Sequence, residues 1–450
     1  MGIRNSVRGS CLGLVWLVAA TPLLAAPRAV VAPARAKPGH AAARAAAAAP
    51  GFTIERTPAW VQPVAWNDAA PVPAAPYQLL VADEQIRVQD GTSTRYRHTV
   101  RQINDTSALQ QGGQVDIDFD PAYQRLVFHK IDILRGTRRI DKLDAKKIRL
   151  LQREQQLERQ VVDGRVTASM VLDDLRAGDR VEWSATVIGD NPVFGGRFVE
   201  HACDSSTNSP TGKWQLRVLA PAARDIHARV GGPGVTTTSV VRDGVRETLF
   251  QRADVAQLQA DDHLPPAELL KAQVELSEFA DWKDVGAWAA QRFGRAMQAS
   301  PAVEEQVAAL RARAATPGAL LRATLDFVQR DIRYFGTEGG IDSHQPATAE
   351  TVLRQRFGDC KDKVALLAEL LTRMGFDATP VIVSAQYQGA SSQRLPGPLA
   401  FDHAIVRVMV DGKLVFLDAT RSQQTGAVAS RAAIRSFLAR KTSGASNSRG

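Results

Sequence analysis

The spacing of apolar residues changes partway along the chain, and this change limits the fold more than any other feature. Between about Trp60 and Gln251 the pattern repeats every second residue. Val115, Ile117 and Phe119 alternate with Asp116 and Asp118, the period that half-buries a strand. Val181, Trp183, Ala185 and Val187 repeat it, as do Trp214, Leu216 and Val218, and Leu126 to Leu134 is a further apolar run. Asp90-Gly91 and Asp243-Gly244 suit hairpin turns between such runs, because Gly accepts positive φ without cost. From Ala267 to Arg313 the chain instead becomes rich in the strong helix formers Ala, Leu, Glu and Gln. Strands first and helices later predict an α+β protein, opening with an antiparallel β-sandwich.

The boundaries follow from the same pattern. Arg4 and Arg8 precede an almost wholly apolar run from Cys11 to Ala26. That run is shorter than the ~20 residues of a membrane span, so residues 1–26 read as a cleaved export signal, cut between Ala25 and Ala29. Residues 27–59 begin with an Ala/Pro/Arg-rich stretch and read as a linker. A β-rich domain is expected over 60–253, a helical connector over 254–315, a mixed core over 316–425 and a basic polar tail over 426–450. Export implies an oxidising compartment, most simply the periplasm of a Gram-negative bacterium.

Composition excludes several classes. With 450 residues, 44% hydrophobic and 23% charged, the chain is neither wholly disordered, nor collagenous, nor a multi-span membrane protein. Three cysteines make no disulfide scaffold and no cysteine-rich zinc array. The formal charge of +9 is spread along the chain. It favours an anionic envelope surface without implying nucleic acid. The basic stretch Arg138 to Gln160 reads as a solvated face. Trp282 and Trp288 read as packing residues. The histidines show no metal-ligand spacing, and no cofactor is expected.

The chemistry-bearing segment lies in the core. Thr316-Pro317 marks a helix start, and Leu321, Leu325, Val328 and Ile332 follow at helical spacing. Gly358-Asp359-Cys360-Lys361-Asp362-Lys363 then opens a second helix, striped by Val364, Leu367, Leu371 and Met374 and ended by Gly375. Cys360 falls in its first turn with Asp359 as cap. Unpaired N–H groups at a helix start favour a thiolate, so a lowered thiol pKa is expected. Further on, Asp402-His403 leads a strand to Val410, Asp411-Gly412 turns the chain, and Lys413 to Leu417 returns to Asp418. A two-residue turn sets Val410 against Lys413 and Ile405 against Asp418. His403 and Asp418 are then diagonal neighbours on one face, roughly 5–8 Å apart at Cβ. A Cys-His-Asp triad fits this spacing, the acid fixing the tautomer of the base.

These residues carry a resemblance. Gly358 to Lys363, Asp402-His403 and Leu417-Asp418-Ala419-Thr420 are similar to the bacterial transglutaminase-like superfamily, in the papain-like cysteine clan, over about Thr316 to Gln423. The preceding residues resemble, more loosely, the β-rich domain of unknown function that precedes such cores in exported bacterial proteins. The resemblance implies Cys360 as nucleophile, His403 as general base and Asp418 as orienting acid. It also implies a Cys-bearing helix packed on an antiparallel sheet that carries His and Asp. Asp402 stands where the family often has Asn, and family members often continue further past the Asp strand. His344 and Gln345 are candidates for a second oxyanion donor, beyond the Cys360 N–H.

The implied activity is cleavage or transfer at amide bonds of a protein or peptide through a Cys360 thioester. Water as acceptor makes a peptidase or amidase, and a lysine amine makes a transglutaminase. A different class stays open beside it: a silent core whose β-rich half binds a peptide or an envelope polymer. Pairing of Cys360 with Cys203 would block the nucleophile.

Overall fold

A computed structural model of the chain describes residues 51–66, 75–154, 157–204, 209–258, 271–385, 391 and 393–426. The expected export signal, the Ala/Pro-rich part of the linker and the tail beyond Gly426 lie outside the described residues. Among the described residues no helix is long and apolar enough to cross a membrane.

The protein is a mixed, strand-rich α+β structure. Its first half is built on one nine-stranded sheet. In spatial order this runs β1 (Phe52–Ile54), β5 (Arg125–Arg135), β10 (Arg180–Ile188), β3 (Thr92–Ile103), β2 (Tyr77–Gln89), β12 (Thr211–Pro221), β15 (Val245–Val255) and β14 (Thr236–Arg242), with β6 (Arg138–Asp141) also on β5. Two three-stranded sheets pack against it. One is β4 (Gln114–Phe119), β9 (Val166–Val171) and β7 (Arg149–Gln152). Its Val115, Ile117, Phe119, Ala168 and Met170 close a core with Leu126, Phe128, Ile131 and Val181. The other is β11 (Val199–Cys203), β16 (Gln273–Ser277) and β13 (His227–Gly231). There Ala202, Val274 and Leu276 meet Ile86, Trp214, Leu216 and Phe250.

Local chemistry explains the hairpins. Asp243 and Gly244, at φ 50 and 74, form the turn between β14 and β15, where Arg242 faces Val245. Both central residues need positive φ in such a turn, which Asp tolerates and Gly favours.

Three expectations need correction. The large sheet is not purely antiparallel: β1 pairs with β5, and β2 with β12, in parallel. Phe52–Ile54, inside the expected linker, is the edge strand β1. Gln273–Ser277, inside the expected helical connector, is the central strand β16, every residue of it buried. Burial between two partner strands overrides the helix preference of a short Gln/Glu/Leu stretch. The basic stretch from Arg138 is largely exposed, and several of its cations are paired. Lys142 and Lys147 share Asp173, Arg153 meets Asp116, and Arg139 bridges Asp132 and Glu182.

The second half begins with α1 (Trp282–Ala296), capped by Asp281, and α2 (Pro301–Arg311), capped by Ser300. Trp288 is buried and donates to the Val193 carbonyl at 3.1 Å. It packs with Phe194, Phe279 and Val285, beside the partly buried Trp282, so both tryptophans do pack. Thr316 caps α3 (Pro317–Arg330) as its sequence predicts, accepting from Ala319 N. Next come α4 (Ala349–Gln355), α5 (Cys360–Arg373) and the sheet β20 (Ala378–Val383), β21 (His403–Val410) and β22 (Lys413–Leu417). Helix α5 is buried around its whole circumference from Lys361 to Leu371, not on one stripe alone. It forms the centre of the second core, enclosed by α3, α4, β20 and β21.

Two short parallel pairs border the start of α5, and the second of them joins the halves. β17 (Arg333–Tyr334) pairs with β19 (Phe357–Gly358). β18 (Gly336–Thr337) pairs with β8 (Val161–Val162) of the first half.

Candidate active site

Asp359 begins the site. Its carboxylate accepts from Lys361 N at 3.0 Å and Asp362 N at 3.3 Å, and Asp362 accepts in return from Asp359 N at 3.2 Å. This reciprocal capping box satisfies orphan donors at both ends. The other oxygen of Asp362 accepts from Ala347 N at 2.8 Å, and the Lys361 ammonium pairs with Asp359. The carboxylates around Cys360 therefore hold the helix start in place. Two glycines permit the crowding: a Cβ at Gly358 would sit 2.6 Å from Asp362 Cβ, and one at Gly336 would sit 3.2 Å from Asp359 Cβ.

Cys360 is the first residue of α5 and carries a free thiol, so it is not bonded to Cys203. The backbone N–H of Ala404, the residue after His403, stands close enough to the Cys360 sulfur to favour the thiolate. Helix α5 and the imidazole strand β21 pack directly against each other.

The hairpin carries His403 and Asp418 in the predicted register. Val410 pairs with Lys413 and Val406 with Leu417, and the turn residues Asp411 and Gly412 have φ 48 and 71. His403 Nε2 lies 3.1 Å from Asp418 Oδ2. The other carboxylate oxygen, Oδ1, accepts from Thr420 N at 2.9 Å and Thr420 Oγ1 at 2.6 Å. Asp418 therefore both caps the following turn and holds the ring. Behind it, Gln329 Nε2 donates to the Asp418 carbonyl at 2.8 Å. The buried Lys363 donates to the Ile332 carbonyl at 2.6 Å, tying α5 to the end of α3.

The electrostatics differ from the sequence expectation. Burial pushes the Cys360 thiol up to about 12, and the Asp359 and Glu338 carboxylates add to this against Lys361 and the Ala404 N–H. The helix start does not lower the thiol because Asp359 already occupies its N–H groups and places a negative charge beside the sulfur. Burial alone would raise Asp418, yet the hydrogen bonds from His403 and Thr420 hold it below the usual carboxylate range. Burial lowers Lys363 to about 8.

The two oxyanion candidates are otherwise engaged. The Gln345 amide donates to the Arg292 and Pro346 carbonyls. His344 stacks edge-on against Phe194 and Trp288, bonds Ser343 Oγ at 2.8 Å, and is held neutral by burial, at about 4. Two residues near Cys360 went unnoticed in the sequence, Tyr334 and Glu338. Both feel the same buried charges as the thiol. Nothing in their local sequence marks them, since the β17 and β18 ladders bring them there.

The first half contributes to this site. Glu338 N donates to the Val162 carbonyl at 2.7 Å, Gly340 N to Asp120 Oδ2 at 2.9 Å, and Asn191 Nδ2 to the Gly340 carbonyl at 2.9 Å. The segment leading to His403 is fixed to β16: Arg394 pairs with Glu275 at 2.7 Å, Leu395 N donates to Glu275 at 2.7 Å, and Ser277 Oγ to the Pro396 carbonyl at 2.6 Å.

The start of α5 thus carries a free, half-buried thiol, and the sheet packed on this helix carries a histidine bonded to an aspartate. Comparison with known proteins adds the following. Residues 89–259 match the domain of unknown function DUF3857. A search of curated proteins gives no match. Among solved structures, a proposed protease from Parabacteroides distasonis is similar at a TM-score of 0.65 and 15% identity, over 77% of this chain and 67% of that one. At that identity the likeness shows a shared fold alone. An M1 zinc metallopeptidase from Deinococcus radiodurans aligns over 44% of this chain and 42% of that one, at 14% identity and a TM-score of 0.24, too distant to carry an argument.

Proposed function

We propose that the protein is a transglutaminase-like cysteine enzyme that acts on amide bonds of a protein or peptide, with Cys360 as nucleophile, His403 as base and Asp418 as orienting acid. The observation that carries this is the 3.1 Å bond of His403 Nε2 to Asp418 on a sheet whose strand β21 packs against the helix that begins at Cys360. That bond leaves Nδ1 for the thiol proton.

The thiol is neutral at rest, so His403 acts as general base during attack instead of storing a ready thiolate. Sulfur bonds to the amide carbonyl carbon as the S–H proton passes to imidazole. The tetrahedral centre collapses with cleavage of the C–N bond, and the amine departs with the imidazolium proton. Water or a second amine then attacks the thioester, regenerating the thiol. Support for peptidase-like chemistry also comes from the fold shared with the Parabacteroides protein.

The test uses the mature chain with casein. Release of soluble peptides supports hydrolysis, and incorporation of dansylcadaverine supports amine transfer. Either activity must vanish in Cys360→Ala. Activity that survives this substitution refutes the assignment.

A further inference from the structure

We propose that the Tyr334 hydroxyl is a catalytic hydrogen-bond donor to the oxyanion that forms when Cys360 attacks a carbonyl. This rests on the acyl-transfer reading above. Tyr334 belongs to β17, and its partner strand β19 runs directly into the nucleophile. The parallel register sets Tyr334 beside Gly358, two residues before Cys360. The pairing continues past it, because Phe335 N donates to the Gly358 carbonyl at 3.1 Å.

Alternation fixes the direction of the ring. Phe335 and Phe357 meet edge to face at 5.6 Å on one side of this ladder. Tyr334 therefore stands on the opposite side, with Gly358. Gly358 has no side chain there, and the first turn of α5 closes tightly over it. After burial, Cys360 is the strongest electrostatic influence on the phenol, ahead of Asp359, Glu338 and Asp362. Both influences raise its pKa above the ordinary value, so the group keeps its proton and remains a donor. The ring is only partly exposed, and its hydroxyl bonds no described residue. A half-buried phenol beside a nucleophile, with its proton uncommitted, matches what an oxyanion needs. His344 and Gln345 do not offer this, since their donors are already engaged or their ring is packed away.

The test is the acylation burst with p-nitrophenyl acetate. Sulfur bonds to the acetyl carbon, the aryl C–O bond breaks, and p-nitrophenolate leaves. Tyr334→Phe is expected to slow the burst by about 10²-fold, the usual effect of removing one such donor. Alkylation of Cys360 by iodoacetamide forms no oxyanion, so its rate and pH profile should stay within about twofold of wild type. An unchanged burst overturns the proposal. A parallel fall in burst and alkylation also overturns it, because Tyr334 then tunes or supports the thiol. A wild-type protein that gives no burst refutes the acyl-transfer reading itself, and the donor assignment falls with it.

Discussion

Asp418 divides its two oxygens between a turn and a ring, and this division has a measurable consequence at the residue scale. Its folded-state pKa is held down by His403 and Thr420, whereas the unfolded chain titrates near the ordinary value of about 3.9. The stability this contributes is present above the unfolded pKa and is lost as pH falls through the folded one. Thermal unfolding of Asp418→Asn should therefore trail wild type at pH 7, and the gap should close below about pH 4. A gap of constant size from pH 7 to 3 would contradict the hydrogen-bonded carboxylate. The pairing of His403 with Asp418 was legible in the sequence because Asp411-Gly412 admits one turn geometry and strands have a strict period of two. The raised thiol was not legible. It depends on the groups packed around the half-buried Cys360 and on Asp359 capping the same N–H groups that would otherwise favour a thiolate.

At the scale of elements, the start of α5 works as one unit. Asp359 caps the helix, pairs with Lys361 and raises the Cys360 thiol. Asp359→Asn keeps an oxygen for the cap but removes the charge. The melting temperature should fall, because Lys361 is left buried without its carboxylate, a loss that runs to about 3–5 kcal/mol for such pairs. Direct ionisation of the Cys360 thiol, followed by its absorbance near 240 nm, should shift to lower pH in the same variant. A thiol titration that does not move would contradict the charge assignment. Lys363 provides a second check on this helix. Its folded pKa of about 8 lies below that of a free lysine, so stability contributed by this site should rise between about pH 8 and 10. Wild type should gain stability relative to Lys363→Met over that interval, and chemical denaturation at each pH measures it. The helix itself was readable from its capping and its apolar stripe. Its complete burial was not, because Lys363 and Glu369 read as surface residues until their partners, the Ile332 carbonyl and Arg373, are seen. Strand β16 was missed for a related reason. Gln273–Ser277 carries the mild helix preference of Gln, Glu and Leu, and its strand partners Val199–Cys203 and His227–Gly231 come from more than 40 residues away.

Across the whole molecule, the β-rich half and the core meet at the site. Glu338, Gly340 and the Arg394–Pro396 segment are all held by residues of the first half. This predicts that weakening a distant anchor reaches the chemistry. Arg394→Ala leaves Glu275 buried without its main cation. It should lower stability and slow Cys360 alkylation together, with faster chymotryptic cleavage at Leu399 or Phe401. Normal alkylation in a destabilised variant would show that the anchor does not position His403. Alternation predicted many strands in the first half, but not their order. The parallel pairing of β2 with β12 closes over more than 120 residues of intervening chain, and short-range patterning carries no record of such a crossover.

The most direct test of the central claim is the rate of Cys360 carboxamidomethylation against pH, in wild type and His403→Ala, followed at the Cys360 peptide. If His403 is the base for a thiol that burial keeps neutral, wild type reacts at pH 7 about 10²-fold faster than the variant. The variant then gains rate only in the strongly alkaline range, where the thiol at about 12 ionises unaided. Superimposable profiles for the two proteins would contradict the assignment of Cys360 and His403 as a catalytic pair.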